Sequence, residues 1–303
     1  MTASTDTTAV KQRLGKVGTW IFAVNGLPAS QARDVAAEIE ELGYGSLWLA
    51  DTPMTKDPFS HAAVLLAATQ RLTLGTGIAN VWGRDATAMN AGAKTLGEAF
   101  PDRFILGLGV SHQPSVAARG HTYARPLAKM RGYLEEMAAA TYVAAEPKEP
   151  VPCVLAALRP KMLELARDRT DGAHPYFVPT THTAQARDIL GAGPLLIPEQ
   201  AVLVEADAGR ARDLGREHMS PYLQMPNYVN SLLALGFTDE DVAEGGSDRL
   251  VDAIVAWGPV DAVRARVQEH LDAGADHVLI QPLAPNRGFD LALLRTLAPA
   301  LLT

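Results

Sequence analysis

Short apolar runs alternate with amphipathic stretches along almost the whole chain, and that rhythm leaves few folds open. Strands are predicted at Val17–Ala23, Ser46–Ala50, Leu72–Gly75, Phe104–Leu108, Val151–Ala156, Gly172–Phe177, Leu195–Val204 and His277–Gln281. Helical patterning follows each of them: Ser30–Leu42, for example, carries Val35, Ile39 and Leu42 on one face, with Gly43 at the position that ends a helix. Asp57-Pro58 reads as an N-cap acid followed by proline in the first turn. Gly258-Pro259 opens Val260–Ala273, and Gly274 closes it. Strand–helix alternation of this kind specifies a parallel sheet, and eight units close into an α/β (β/α)8 TIM barrel. An open doubly wound sheet is the competing arrangement.

An internal repeat adds a spatial expectation. Arg71–Ile78 and Arg103–Val110 share the pattern R-x-x-L-G-x-G-apolar at an offset of 32 residues, the length of one strand–helix unit. The two segments are therefore expected on neighbouring strands, with their glycines level. The interval from Val204 to His277 is longer than one unit, with an excess of roughly 40 residues centred on Ser220–Gly246. We read it as a helical insertion after strand 7, about residues 207–257, lying over the barrel mouth. Residues 15–303 then form one domain, and residues 1–14, Thr-rich and polar at their start, read as a loose leader.

Composition removes several function classes. One cysteine, Cys153, cannot form an internal disulfide, which suits a reducing, cytoplasmic setting. No apolar run has the roughly 18–20 residues of a membrane span, and Met1–Gln12 lacks the apolar segment of a secretory signal. A formal net charge of −7 argues against a nucleic-acid partner and for a small molecule. With no H-x-H, H-E-x-x-H or clustered Cys/His, no metal site is expected.

In a parallel barrel, chemistry gathers at the C-terminal ends of the strands. His112 lies two residues past a strand that ends in glycine, where an imidazole could exchange a proton near neutral pH; an ordinary loop histidine is the other reading. Asp51 ends the apolar run Leu47–Ala50 and faces the mouth or caps the next helix. Trp20, Trp82, His174 and Tyr228 are candidates for the substrate wall. The glycine pairs of the repeat leave either a shelf for a flat ring or room for a tight barrel bend. Ala157-Leu158-Arg159-Pro160-Lys161-Met162 follows strand 5 and opens a helix, so its free N–H groups and two cations suit a phosphate, or simply cap a surface helix. A retaining glycosidase would need two carboxylates across the cleft, and nucleophilic hydrolysis lacks a G-x-S-x-G elbow. The remaining set suits a redox coenzyme with a planar ring and a phosphorylated tail.

Four segments, in this order and spacing, resemble the bacterial-luciferase-like oxidoreductases, in particular the branch that uses the deazaflavin coenzyme F420. They are Gly43–Asp51, Arg71–Ile78, Pro101–Gly109 and Ala166–His174 with its Asp171-Gly172. The resemblance implies a (β/α)8 barrel, often a homodimer, with the ring over the strand ends and a non-prolyl cis peptide that maps to Gly77-Ile78. It implies ring binding by Asp51, Gly77 and Ile78, tail-phosphate binding by Ala157 to Met162, and catalysis by His112 and Asp51. The chain departs from the pattern at Thr52, where relatives have histidine, and at His112, where sugar-phosphate oxidisers have glutamate, so glucose 6-phosphate is not the expected substrate. At the tail loop Leu158-Arg159 replaces the usual glycine. The implied activity is hydride transfer between F420 and a small organic substrate. The alternatives are an FMN-dependent monooxygenase using reduced flavin and O2, served by a reductase, and a flavin-binding barrel without catalysis.

Overall fold

The computed structural model describes residues 6–285, 288 and 290–302. Its strands are β1 (Val17–Trp20), β2 (Ser46–Leu49), β3 (Thr73–Thr76), β4 (Ala79–Asn80), β5 (Phe104–Gly109) and β6 (Cys153–Leu155). They continue as β7 (Gly172–Ala173), β8 (Leu195–Leu196), β9 (Glu199–Val204), β10 (Val255–Gly258) and β11 (Val278–Pro282). Every pairing is parallel: β1–β2–β3–β5–β6–β7–β8 form one arc, and β11 joins β1 to β9. β8 runs into β9 through Ile197-Pro198, so the two ends of the arc meet and the sheet curls into a TIM-barrel-like fold. Proline cannot donate to a ladder, which is why the single strand expected at Leu195–Val204 is interrupted there.

Amphipathic helices pack outside. Ala29–Leu42 ends at Gly43, whose φ of 94° is the left-handed conformation that glycine adopts without strain. Asp57 and Asp85 cap Pro58–Leu66 and Ala86–Ala99, their Oδ1 atoms accepting from Ser60 and Ala88 N–H at 2.8 Å. Between β9 and β10 lie four helices, Ala208–Met219, Pro226–Ala234, Asp239–Val242 and Asp248–Ile254, with an apolar cluster of their own around Met219, Tyr228, Leu232 and Leu250.

Three expectations fail. The leader is not loose from Thr7 onward: Thr7–Leu14 is a helix capped by Asp6, and Val10 and Leu14 are buried with Trp48, Ile105, Val154 and Leu279 at the N-terminal end of the barrel. Two apolar residues four apart in a polar stretch give too weak a periodicity to read. The repeat does put β3 beside β5, but Gly75 pairs with Ile105, so the two motifs are displaced by two rungs and their glycines are not level. Nor do those glycines form a shelf. A Cβ on Gly75 would lie 2.4 Å from Trp48 Cδ2, and one on Gly107 would lie 1.9 Å from the Thr76 carbonyl oxygen and 3.1 Å from Trp48 Cζ3. The staves are thinned to admit the buried Trp48 indole, and the barrel centre is filled.

Candidate active site

A cavity of about 270 Å³ opens at the C-terminal ends of β5, β6 and β7. That is just under the usual range for small-molecule sites, roughly 300–1,000 Å³, and enough for a ring system though not for a whole dinucleotide-sized coenzyme. One wall is apolar, built from Ile78, Val110, Leu127, Leu158 and Met162. Opposite stand His112, His174, Tyr176 and the excursion residues Asn227 and Tyr228. Arg159, Lys161 and Tyr123 line the same cavity.

The β5 end supplies His112. β5 stops at Gly109, Ser111 takes a φ of 58°, and His112 begins the short helix Gln113–Ala117. Its Nδ1 lies 3.1 Å from Asn227 Oδ1, and its ring packs 5.2 Å from that of Tyr228. Burial pulls the imidazole below its ordinary pKa, and the bond to Asn227 acts in the opposite direction without cancelling the effect. The ring is therefore neutral at pH 7.

The turn after β6 supplies the cationic end. Ala156 N–H donates to the Leu108 carbonyl, and His182 Nε2–H donates to the Leu158 carbonyl at 2.7 Å, fixing the turn from the neighbouring helix. Pro160, which has no N–H, then starts the helix Pro160–Arg169, and the Met162 and Leu163 N–H groups donate to the Arg159 carbonyl at 3.0 and 3.2 Å. Arg159 and Lys161 are exposed and form no salt bridge with any described residue. Two unpaired cations at a helix N-terminus beside an apolar slot offer chemistry that suits an anionic group.

His174 is 1% exposed, and its Nδ1–H donates to the Ile197 carbonyl at 2.7 Å. Burial pushes its pKa down to about 4, so it offers the cavity a neutral lone pair and no proton. Two residues on, Tyr176 OH donates to Gln281 Oε1 at 2.9 Å and meets Tyr222 OH at 2.7 Å. Beneath this cluster Glu199 is buried with Oε2 accepting from Phe177 N–H and Oε1 unpartnered among the described residues. Burial raises its carboxyl pKa to about 8, so it carries a proton at neutral pH.

The structure brings Ile78, His112, Ala157, Leu158, Arg159, Lys161, Met162, His174 and Tyr228 to one cavity. It puts the other candidates elsewhere. Asp51, expected at the coenzyme ring, accepts from Arg119 at 2.6 Å and from Asn80 N–H at 2.9 Å and does not line the cavity. Gly77 lies behind the wall: its carbonyl accepts from Trp20 Nε1–H at 3.1 Å, and its peptide bond to Ile78 is cis. Trp20 lines a separate cavity of about 200 Å³, and Pro160 does not line the first. Trp82 donates Nε1–H to the Val110 carbonyl and sits under Lys129. Indole N–H groups near a surface seek a carbonyl, and both found backbone partners that hold the rim. Tyr123 and Tyr176 stand outside the residues read from the sequence, while Asn227 falls within Tyr222–Leu232, the part of the excursion expected on the pocket wall. Of the first two, only Tyr176 had a signal, sharing the facing of His174 two residues before it.

A curled parallel sheet with a cavity at its C-terminal rim is the architecture of a TIM-barrel enzyme. Residues 15–277 match the family model described as luciferase-like monooxygenase, and the chain belongs to that family. It is 26% identical to a 5,10-methylenetetrahydromethanopterin reductase of Methanolobus tindarius, over 86% of this chain and 93% of the relative. Among solved structures, an F420-dependent secondary alcohol dehydrogenase in complex with an F420-acetone adduct superposes with a TM-score of 0.74 at 13% identity, covering 94% of this chain and 98% of that one. The oxygenating constituent of 3,6-diketocamphane monooxygenase of Pseudomonas putida, in complex with FMN, superposes at 0.69 with 13% identity, covering 93% and 95%. At such identities the likeness is one of fold.

Proposed function

We propose that the chain is an oxidoreductase that transfers a hydride between coenzyme F420 and a small organic substrate. The observation that carries the reading is the cavity itself, which joins the neutral imidazole of His112 to the unpaired cations of Arg159 and Lys161 across an apolar slot. Ile78, Val110 and Met162 would hold the ring; Leu158 to Lys161 would hold the anionic tail. When bound, the deazaflavin supplies hydride acceptance or donation. His112 holds or moves the matching proton at Nε2, while Tyr176 and Tyr228 close the substrate side and exclude water. The chain is read as one barrel unit with its excursion over the mouth, acting as a cytoplasmic homodimer with a separate reductase turning the coenzyme over.

An FMN-dependent monooxygenase is the second reading, favoured by the FMN-bound neighbour of the same fold. Titration of the purified protein with F420 and with FMN, followed by fluorescence, separates the two. Saturable binding of F420 with weak or no binding of FMN is expected. Tight FMN binding alone would give the monooxygenase reading, and binding without hydride transfer to any substrate would leave a non-catalytic barrel.

A further inference from the structure

The imidazole of His112 is held from a different part of the chain, by the helix Pro226–Ala234 of the excursion. A carboxamide oxygen only accepts, so the contact between Nδ1 and Asn227 Oδ1 at 3.1 Å puts the ring proton on Nδ1. In the neutral ring Nε2 then keeps its lone pair. Both residues line the mouth cavity, and Tyr228, 6% exposed, packs against the imidazole from the same helix. One short helical segment thus supplies a hydrogen-bond partner that sets the tautomer and a ring that limits how far the imidazole can swing. Besides Tyr228, the titratable or charged groups on the cavity wall are Tyr123, His174, Tyr176, Arg159 and Lys161.

We propose that Asn227 is the positioning residue that fixes His112 as the Nδ1–H tautomer, so that Nε2 meets the substrate as a proton acceptor. The substrate then carries a hydroxyl or amine hydrogen on the carbon that gives up the hydride. The proposal rests on the hydride-transfer reading for its chemistry, though not for the tautomer. Bound deazaflavin would supply the hydride acceptor for the substrate C–H electron pair. The O–H or N–H proton passes to Nε2, a C=O or C=N bond forms, and His112 becomes the imidazolium. Neutral at pH 7, His112 stands ready to take that proton, and a substrate presenting only an acceptor at this point would meet a lone pair.

The test is carried out on the full chain labelled with 15N-histidine, with the His112 signals assigned by comparison with His112→Gln. Long-range 1H–15N correlations at pH 7.5 should show the Nδ1–H pattern for His112 in the natural protein. In Asn227→Leu the Nε2–H form should become populated. In Asn227→Asp the Nδ1–H form should persist and the His112 pKa should rise by about one unit or more, because a carboxylate favours the imidazolium. Turnover should follow: Asn227→Leu lowers kcat about tenfold or more at unchanged coenzyme affinity, and Asn227→Asp moves the acidic limb of the kcat/KM profile upward. An Nε2–H pattern in the natural protein, or a tautomer indifferent to Asn227→Leu, overturns the proposal, as does a pH profile that Asn227→Asp leaves in place. Failure to bind F420 would instead sink the hydride-transfer reading while the spectra still decide the tautomer.

Discussion

The two sides of the barrel mouth use similar side chains to different ends. On the β1–β4 side, Trp20, Asp51 and Trp82 have polar atoms satisfied by the protein: a carbonyl at Gly77, the Arg119 guanidinium, a carbonyl at Val110. On the β5–β7 side, the cations of Arg159 and Lys161 are unpaired, and the tautomer assigned to His112 leaves Nε2 open to the cavity. On the first side these three side chains are tied into the rim, while Asn80 Nδ2 and Arg119 Nε beside them have no partner among the described residues; the second side is the proposed site. What separates them is where their partners lie: the first set bonds within the protein, and the exposed cations of the second meet solvent.

The largest expected effect lies on the open side. His112→Ala should lower turnover by about 10²–10⁴, the usual worth of general acid–base catalysis, with coenzyme affinity unchanged. Turnover within a few-fold of the natural enzyme would remove His112 from the chemistry. Arg159→Ala combined with Lys161→Ala should raise the coenzyme Kd about 10–100-fold at low salt and less at high salt, from the loss of charge-assisted bonds. Equal affinity in equilibrium titrations would detach the tail from this turn.

The barrel interior and the closed side should respond in stability. Gly107→Ala drives a Cβ against the Thr76 carbonyl and Trp48, and about 1–3 kcal/mol of destabilisation is expected from urea midpoints. A neutral outcome would mean that the interior has slack. Asp51→Asn should cost about 1 kcal/mol through the weakened Arg119 pair, with coenzyme Kd changed less than twofold. A Kd raised tenfold would return Asp51 to the coenzyme site and break the contrast between the two sides.

Glu199 gives the clearest pH signature. Its folded pKa, near 8, lies above the ordinary 4.5, so the folded state holds the extra proton across that window. Stability therefore falls as pH rises between the two values, by up to about 1.4 kcal/mol per unit. Glu199→Gln should flatten the slope in denaturation series from pH 5 to 8, and an unaltered slope would locate the pH dependence in other groups.

The barrel was legible because each strand–helix unit carries its own periodicity and stop signals: Gly43, the Asp57-Pro58 pair and Pro160 stand where the elements turn. The turn after β6 was legible for the same reason, since helix N-terminal chemistry is local. The Trp48 packing was not, because glycine in a strand signals only that something comes close, not whether it is a ligand or an indole. The ion pair of Asp51 was not legible, because its partner, Arg119, lies 68 residues away with no pattern linking them. Asn227 has the same history: its bond to His112 spans 115 residues and exists only once the excursion folds back.

The central claim is that the coenzyme sits on the open side of the mouth, and a crystal structure of the protein with F420 tests it most directly. The expected result has the ring against Ile78, Val110 and Met162 with its phosphate on Arg159 and Lys161. A ring seated instead in the cavity beside Trp20, or against Asp51 with Arg119 displaced, would contradict the account.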